Sequence, residues 1–78
     1  MYLEIITPDK KIFSGEVSLV QLPGTDGSFE ILNNHAPLIS TLAKGKIKIT
    51  DSEKATQYFE INSGVVEVQK NKIIVLAE

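Results

Sequence analysis

Few residues in this chain are of types that do chemistry, and their spacing limits what they can do. His35 is the one imidazole. A metal site needs further ligands gathered around it, and a catalytic dyad needs an activated nucleophile. Ser28 and Ser40 lie near it in sequence but carry no nucleophile-elbow pattern. Asp26 and Glu30 are carboxylates four apart, and paired carboxylates can share acid–base work. With no further polar partner nearby they read as solvated loop charges. Gly24 and Gly27 stand three apart, but no lysine-serine pair follows, so they are not a phosphate loop. They read instead as a tight turn, because glycine takes positive φ at no steric cost. Lys44, Lys46 and Lys48 make a small basic face, which on an exposed strand protects a sheet edge. Lys44 lacks the Asp-Lys-Ala or Met-Lys-Met setting of lipoyl and biotinyl carriers. This inventory supports neither an enzyme nor a bound cofactor or metal. His35 is read as a contact residue for another protein.

The elements that must hold these residues are short and β-like. Phe29 and Ile31 alternate with Glu30, the period of a half-buried strand. Asn33-Asn34 reads as a turn, since asparagine tolerates the left-handed region. Pro37 drives Ala36 towards extended backbone. His35 thus follows a turn on locally stiff chain. In residues 2–6, Leu3 and Ile5 share one face, and residues 7–10 end the run. Ile12-Phe13 is an apolar pair before a turn at Ser14-Gly15. Residues 16–22 read as a strand with poor alternation, stopped by Pro23-Gly24. Lys46-Ile47-Lys48-Ile49-Thr50 alternates most cleanly, followed by a polar loop over residues 51–54. Residues 57–61 place Phe59 and Ile61 inward, residues 62–64 turn the chain, and residues 65–69 place Val66 and Val68 opposite Glu67. After a turn at residues 70–72, residues 73–76 form a continuous apolar run that reads as covered on both faces. Residues 37–44 fit two patterns. Proline first, Leu38 and Leu42 four apart and Gly45 as a stop favour a helix; Ser40 and Thr41 weaken it. Roughly eight short strands punctuated by turns predict an all-β protein, a sandwich or a barrel.

The chain has 78 residues, which sets a single domain over 1–78. A domain this small buries roughly 60–65% of its unfolded surface, so its core is small. There is no cysteine, which excludes disulfides and thiol chemistry. A net charge of −2 and few aromatics, reserved mostly for the core, argue against nucleic-acid binding. A free-standing small β-barrel that binds nucleic acid is nevertheless the alternative reading. No apolar run approaches the roughly 20 residues that span a bilayer, and no basic-then-apolar leader opens the chain.

The motifs converge on one family. Gly24-Thr25-Asp26-Gly27, a short apolar strand and then His35-Ala36-Pro37-Leu38 resemble the N-terminal domain of the ε subunit of bacterial rotary ATP synthases. Leu3-Glu4-Ile5-Ile6-Thr7-Pro8 is similar to that family's first strand, and Ile12-Phe13-Ser14-Gly15 to its Met/Leu-Phe-Ser-Gly segment. Ser63-Gly64-Val65-Val66-Glu67-Val68 resembles its Gly-Gly-x-x-Glu-Val, and residues 73–77 its closing strand. The resemblance covers nearly all of the chain and implies a non-catalytic rotor subunit in an all-β fold, a small two-sheet β-sandwich of about eight to ten short strands, with residues 37–44 extended. It implies two partners, the γ subunit and the c-ring of the membrane sector, and a role in coupling proton flow to ATP synthesis. By match, His35, Ala36, Pro37 and Leu38 form the γ-facing edge, and Gly24, Gly27 and Ser28 shape the loop near the c-ring. The implied location is peripheral, at the cytoplasmic face of the bacterial inner membrane, with membrane contact only through partners. Ser28 departs from the acidic residue many members carry there, which weakens a charge-based c-ring contact. The family usually continues into an inhibitory helical hairpin, and none is expected here because the sequence given stops at Glu78.

Overall fold

The computed structural model describes residues 1–78, all of them in or between eight strands with no helix. These are β1 (Tyr2–Ile6), β2 (Lys11–Gly24), β3 (Gly27–Leu32), β4 (Leu38–Leu42), β5 (Gly45–Asp51), β6 (Thr56–Ile61), β7 (Gly64–Gln69) and β8 (Lys72–Ala77). Residues 37–44 are extended, as the family resemblance implies. No helix of the structure is long and apolar enough to cross a membrane.

The long strand β2 joins two layers. Its first half pairs with β1, Leu3 opposite Gly15 and Ile5 opposite Phe13. Its second half lies between β3 and β5. One layer is β1, β8, β7 and β4; the other is β3, β2, β5 and β6. A strand that serves both layers needs a local bend, and a register shift between Val17 and Leu19 supplies it. Ser18 is the extra residue, and its hydroxyl donates to Thr50 O (3.2 Å). The shift explains the poor alternation in residues 16–22. Val17 and Val20 are three apart, yet both face the core.

One expected break in this strand is absent: no turn forms at Ser14-Gly15, where pairing to β1 holds the backbone straight. The stop at Pro23-Gly24 is present, with Pro23 still paired opposite Ser28 and the strand ending at Gly24. The ladder to β5 ends at Gln21, so on that edge the missing donor of Pro23 costs no bond.

The core lies between the layers. Sixteen buried residues form it, all of them hydrophobic. Leu3 and Ile5, Val20 and Leu22, Ile47 and Ile49, Val66 and Val68, and Ile73 and Val75 contribute in period-two pairs. Burying each such side chain contributes about 1.5–3 kcal/mol. The aromatics expected to fill this core do not. Phe13, Phe29 and Phe59 pack at its margin, Phe13 and Phe59 with ring centroids 5.7 Å apart, and Tyr58 is 60% exposed. Interdigitating aliphatic side chains fill the gap of about 10 Å between the sheets, which leaves the bulkier rings to the margin. The run over residues 73–76 is covered on one face only: Ile73 and Val75 are buried, and Leu76 is exposed.

A candidate interaction edge and hairpin tip

The segment containing His35 links β3 to β4. Asn34 adopts φ 63°, the left-handed turn expected of the Asn33-Asn34 pair. The amide of His35 donates back to Leu32 O (3.2 Å), closing the turn. The imidazole is exposed, and its Nδ1 lies 2.7 Å from Ala36 O, which makes Nδ1–H the donor. A ring held by its own backbone presents Nε2 outward, free to hydrogen-bond. No group of three His, Cys, Asp or Glu side chains gathers in the structure. Asp26 and Glu30 are both exposed, with Glu30 standing opposite Gln21.

Leu38 begins β4 opposite Val68 of β7. Along its other edge β4 pairs with β2 only at Leu42, opposite Gly24, with Thr41 bonded to Thr25 beside it. Most of that edge is therefore open, as expected of an extended segment behind a proline. Leu38 itself is half-buried and packs against the core. Ile39, on the opposite face, is 72% exposed.

Gly24 and Gly27 pair across a two-residue turn formed by Thr25 and Asp26. Both glycines are required. A Cβ on Gly24 would lie 2.6 Å from Gly27 O, and Gly27 has φ 128°. Ser28 is exposed opposite Pro23. The tip is fastened to the far end of β4. Thr25 N donates to Thr41 O (3.2 Å), the two threonine hydroxyls are 2.9 Å apart, and Ala43 N donates to Pro23 O (2.7 Å). The two candidate sites thus sit at opposite ends of one five-residue strand, about 13 Å apart by strand rise.

Lys46 and Lys48 do not guard an edge. β5 is flanked by β2 and β6, and these lysines stand opposite Glu60 and Tyr58. The outer surface of this layer is mainly polar, with Glu30, Gln21, Lys48 and Tyr58 in one cross-strand row.

The other layer presents a different outer surface, which the sequence reading did not assign to a site. Ile39, Glu67, Ile74 and Glu4 form one row; Thr41, Val65, Leu76 and Ile6 form the next. Ile39, Val65 and Leu76 are exposed, and Ile6, Thr41, Val65 and Leu76 line an open groove of about 650 Å³. The signal was present: residues 73–76 are apolar at both parities, as are Val65 and Val66. Apolarity at both parities says both faces are to be covered, not by what.

Glu4 anchors the margin of this surface. Lys11 Nζ lies 2.7 Å from one carboxylate oxygen and Lys72 Nζ 3.7 Å from the other. The hydrogen bond from Lys11 holds the Glu4 carboxyl below its ordinary pKa, helped by the charges of both lysines and opposed by partial desolvation. The same bond raises Lys11.

Known proteins resemble this sequence and share this fold. The family described as "ATP synthase, Delta/Epsilon chain, beta-sandwich domain" matches residues 1–78. The ATP synthase epsilon chain of Chlorobium limicola is 47% identical over 76 residues, covering 97% of this chain and 86% of the relative. That of Campylobacter curvus is 44% identical over 78 residues, all of this chain but 60% of the relative. Among solved structures, a chain of the Euglena gracilis mitochondrial ATP synthase, OSCP/F1/c-ring, superposes with a TM-score of 0.90 at 18% identity. It shares the fold over 96% of this chain and 48% of its own length. With the whole sequence matched and the two-layer fold in place, the chain belongs to the β-sandwich domain family of ATP synthase delta/epsilon chains.

Proposed function

We propose that this domain is a non-catalytic central-stalk element of a proton-translocating ATP synthase, linking the γ subunit to the c-ring and so coupling proton flow to ATP synthesis. The observation that carries the reading is the match of the entire domain to ATP synthase epsilon chains. The geometry is compatible with it: two contact sites at opposite ends of β4 let one rigid domain bridge two partners. The open β4 edge with His35 and the backbone of Ala36 and Pro37 faces γ, and the tip of Gly24, Gly27 and Ser28 faces the c-ring. The neutral Ser28 makes the tip contact one of shape and backbone hydrogen bonding rather than charge. Leu38 sets the edge from its core side, and Ile39 supplies the exposed apolar contact beside it. The domain is peripheral at the cytoplasmic face of the membrane and reaches the membrane through these partners alone.

The test is reconstitution with γ and with c-ring-containing membranes. Ile39→Asp weakens γ capture by about 2 kcal/mol, the scale of an interface hot spot, and His35→Ala by about 1 kcal/mol. Lys46→Ala stays near wild type, as exposed rim charges contribute little. A folded Ile39→Asp, His35→Ala double variant that binds γ like wild type refutes the γ edge.

A further inference from the structure

The β3–β4 loop is exposed, yet it is fastened at its base to two distant segments. Asn33 Oδ1 accepts from the α-ammonium of Met1 (2.7 Å). Asn34 N donates to Asn71 Oδ1 (2.8 Å). Asn71 lies in the two-residue turn between β7 and β8, where Gln69 pairs with Lys72. Lys70 and Asn71 have φ 52° and 59°, as a type I′ hairpin turn requires. Glycine serves the second position of such a turn at the least backbone cost. Asparagine there keeps the turn and adds a side-chain acceptor, and that acceptor is spent on the neighbouring loop. The backbone carbonyl of Asn71 also accepts from Tyr2 N (3.1 Å). One residue therefore joins the β7–β8 turn, the start of β1 and the loop carrying His35.

We propose that Asn71 is the positioning residue for the γ-facing edge: it makes no partner contact, and it sets the β3–β4 loop in register with the β4–β7–β8 layer before γ binds. This rests on the stalk reading above. A loop held in its bound conformation loses less entropy on association. Losing the anchor therefore weakens binding without removing any contact.

The test uses Asn71→Gly and Asn71→Asp in the whole chain. Glycine preserves the turn and removes the acceptor; aspartate preserves both. In Asn71→Gly the melting temperature holds or rises, exchange of the Asn34 amide followed by NMR speeds up, and γ affinity falls, each of the last two by roughly fivefold, as expected for one lost hydrogen bond. Asn71→Asp restores slow exchange and affinity, which a purely structural role for the turn does not require. Unchanged Asn34 exchange in Asn71→Gly overturns the anchor itself. Faster exchange with unchanged γ affinity overturns the assignment of this loop to γ, and the positioning role with it.

Discussion

At the scale of single residues, close approach and charge decide what can be changed. Gly24 is the tightest position: a methyl group there meets Gly27 O at 2.6 Å and the Phe29 ring at 2.8 Å. Neither can recede, because one is backbone of the paired strand and the other is packed against the core. Gly24→Ala is expected to destabilise the domain by about 2 kcal/mol through overpacking, seen as a melting temperature lower by roughly 10 °C. An unchanged melt would mean that the hairpin tip relaxes freely. Glu4 offers a test of sign. Its carboxyl is depressed, first by the hydrogen bond from Lys11, so its contribution to stability is present above the ordinary value of 4.5 and is lost as pH falls through the folded value. Wild type and Glu4→Gln are therefore expected to differ in melting temperature at pH 7 and to converge on acidification. The two lysines are about half exposed while the Glu4 side chain keeps 15% of its surface in solvent, so the neutral-pH gap should shrink only in part in 1 M salt. A gap that persists in acid would point to packing instead of charge.

At the scale of elements, β4 shows what patterns in a sequence convey. Leu38 and Ile39 are adjacent and equally apolar, but strand geometry sends one to the core and the other to solvent. Leu38→Asp sets a carboxylate against the core cluster and is expected to cost about 2 kcal/mol or more in thermal unfolding. Ile39→Asp should fall within about 0.5 kcal/mol of wild type. Equal destabilisation of both would refute this assignment of faces. The strands themselves were legible wherever one face is dry. Ile47 and Ile49, Phe29 and Ile31, and Val66 and Val68 each announce period two, and Gly24 with Gly27 announces the hairpin. The continuity of β2 was not legible. Turn propensity at Ser14-Gly15 is a local quantity, and the pairing of Gly15 with Leu3 that overrides it is tertiary. Likewise Asn33-Asn34 reads as a turn from its own residues. That Asn71 holds it cannot be read locally, because the two meet only after β7 and β8 have folded back. Leu76 was misread because hydrophobicity predicts burial without naming the partner that provides it.

At the scale of the whole molecule, the order of assembly follows from which pairings are local. β1 with β2, β2 with β3, β5 with β6 and β7 with β8 are joined by short connections. Closing the sandwich needs three distant pairings: β2 with β5, β4 with β7, and the parallel pair of β1 with β8, which joins the two ends of the sequence. Loop-closure entropy opposes such contacts until neighbouring structure has shortened the effective loop. The β2–β5 ladder is expected to form first, because the β2–β3 hairpin and the connection fastened at Thr25 and Thr41 bring β5 back beside β2. The β7–β8 hairpin is then expected to dock last, burying Ile73 and Val75 against the rest of the core. Replacing Ile49 or Ile73 by valine removes one buried methyl group from each side of this sequence of events, at about 1 kcal/mol apiece. Ile49→Val, on β5, should slow folding and leave unfolding nearly unchanged. Ile73→Val, on β8, should leave folding nearly unchanged and speed unfolding roughly fivefold, as low transition-state participation requires. Stopped-flow chevrons of the two variants test this directly, with folding expected in the millisecond-to-second range of all-β domains. If Ile73→Val slowed folding in proportion to its lost stability, the hairpin would already be docked in the transition state, and the ends of the chain would meet early.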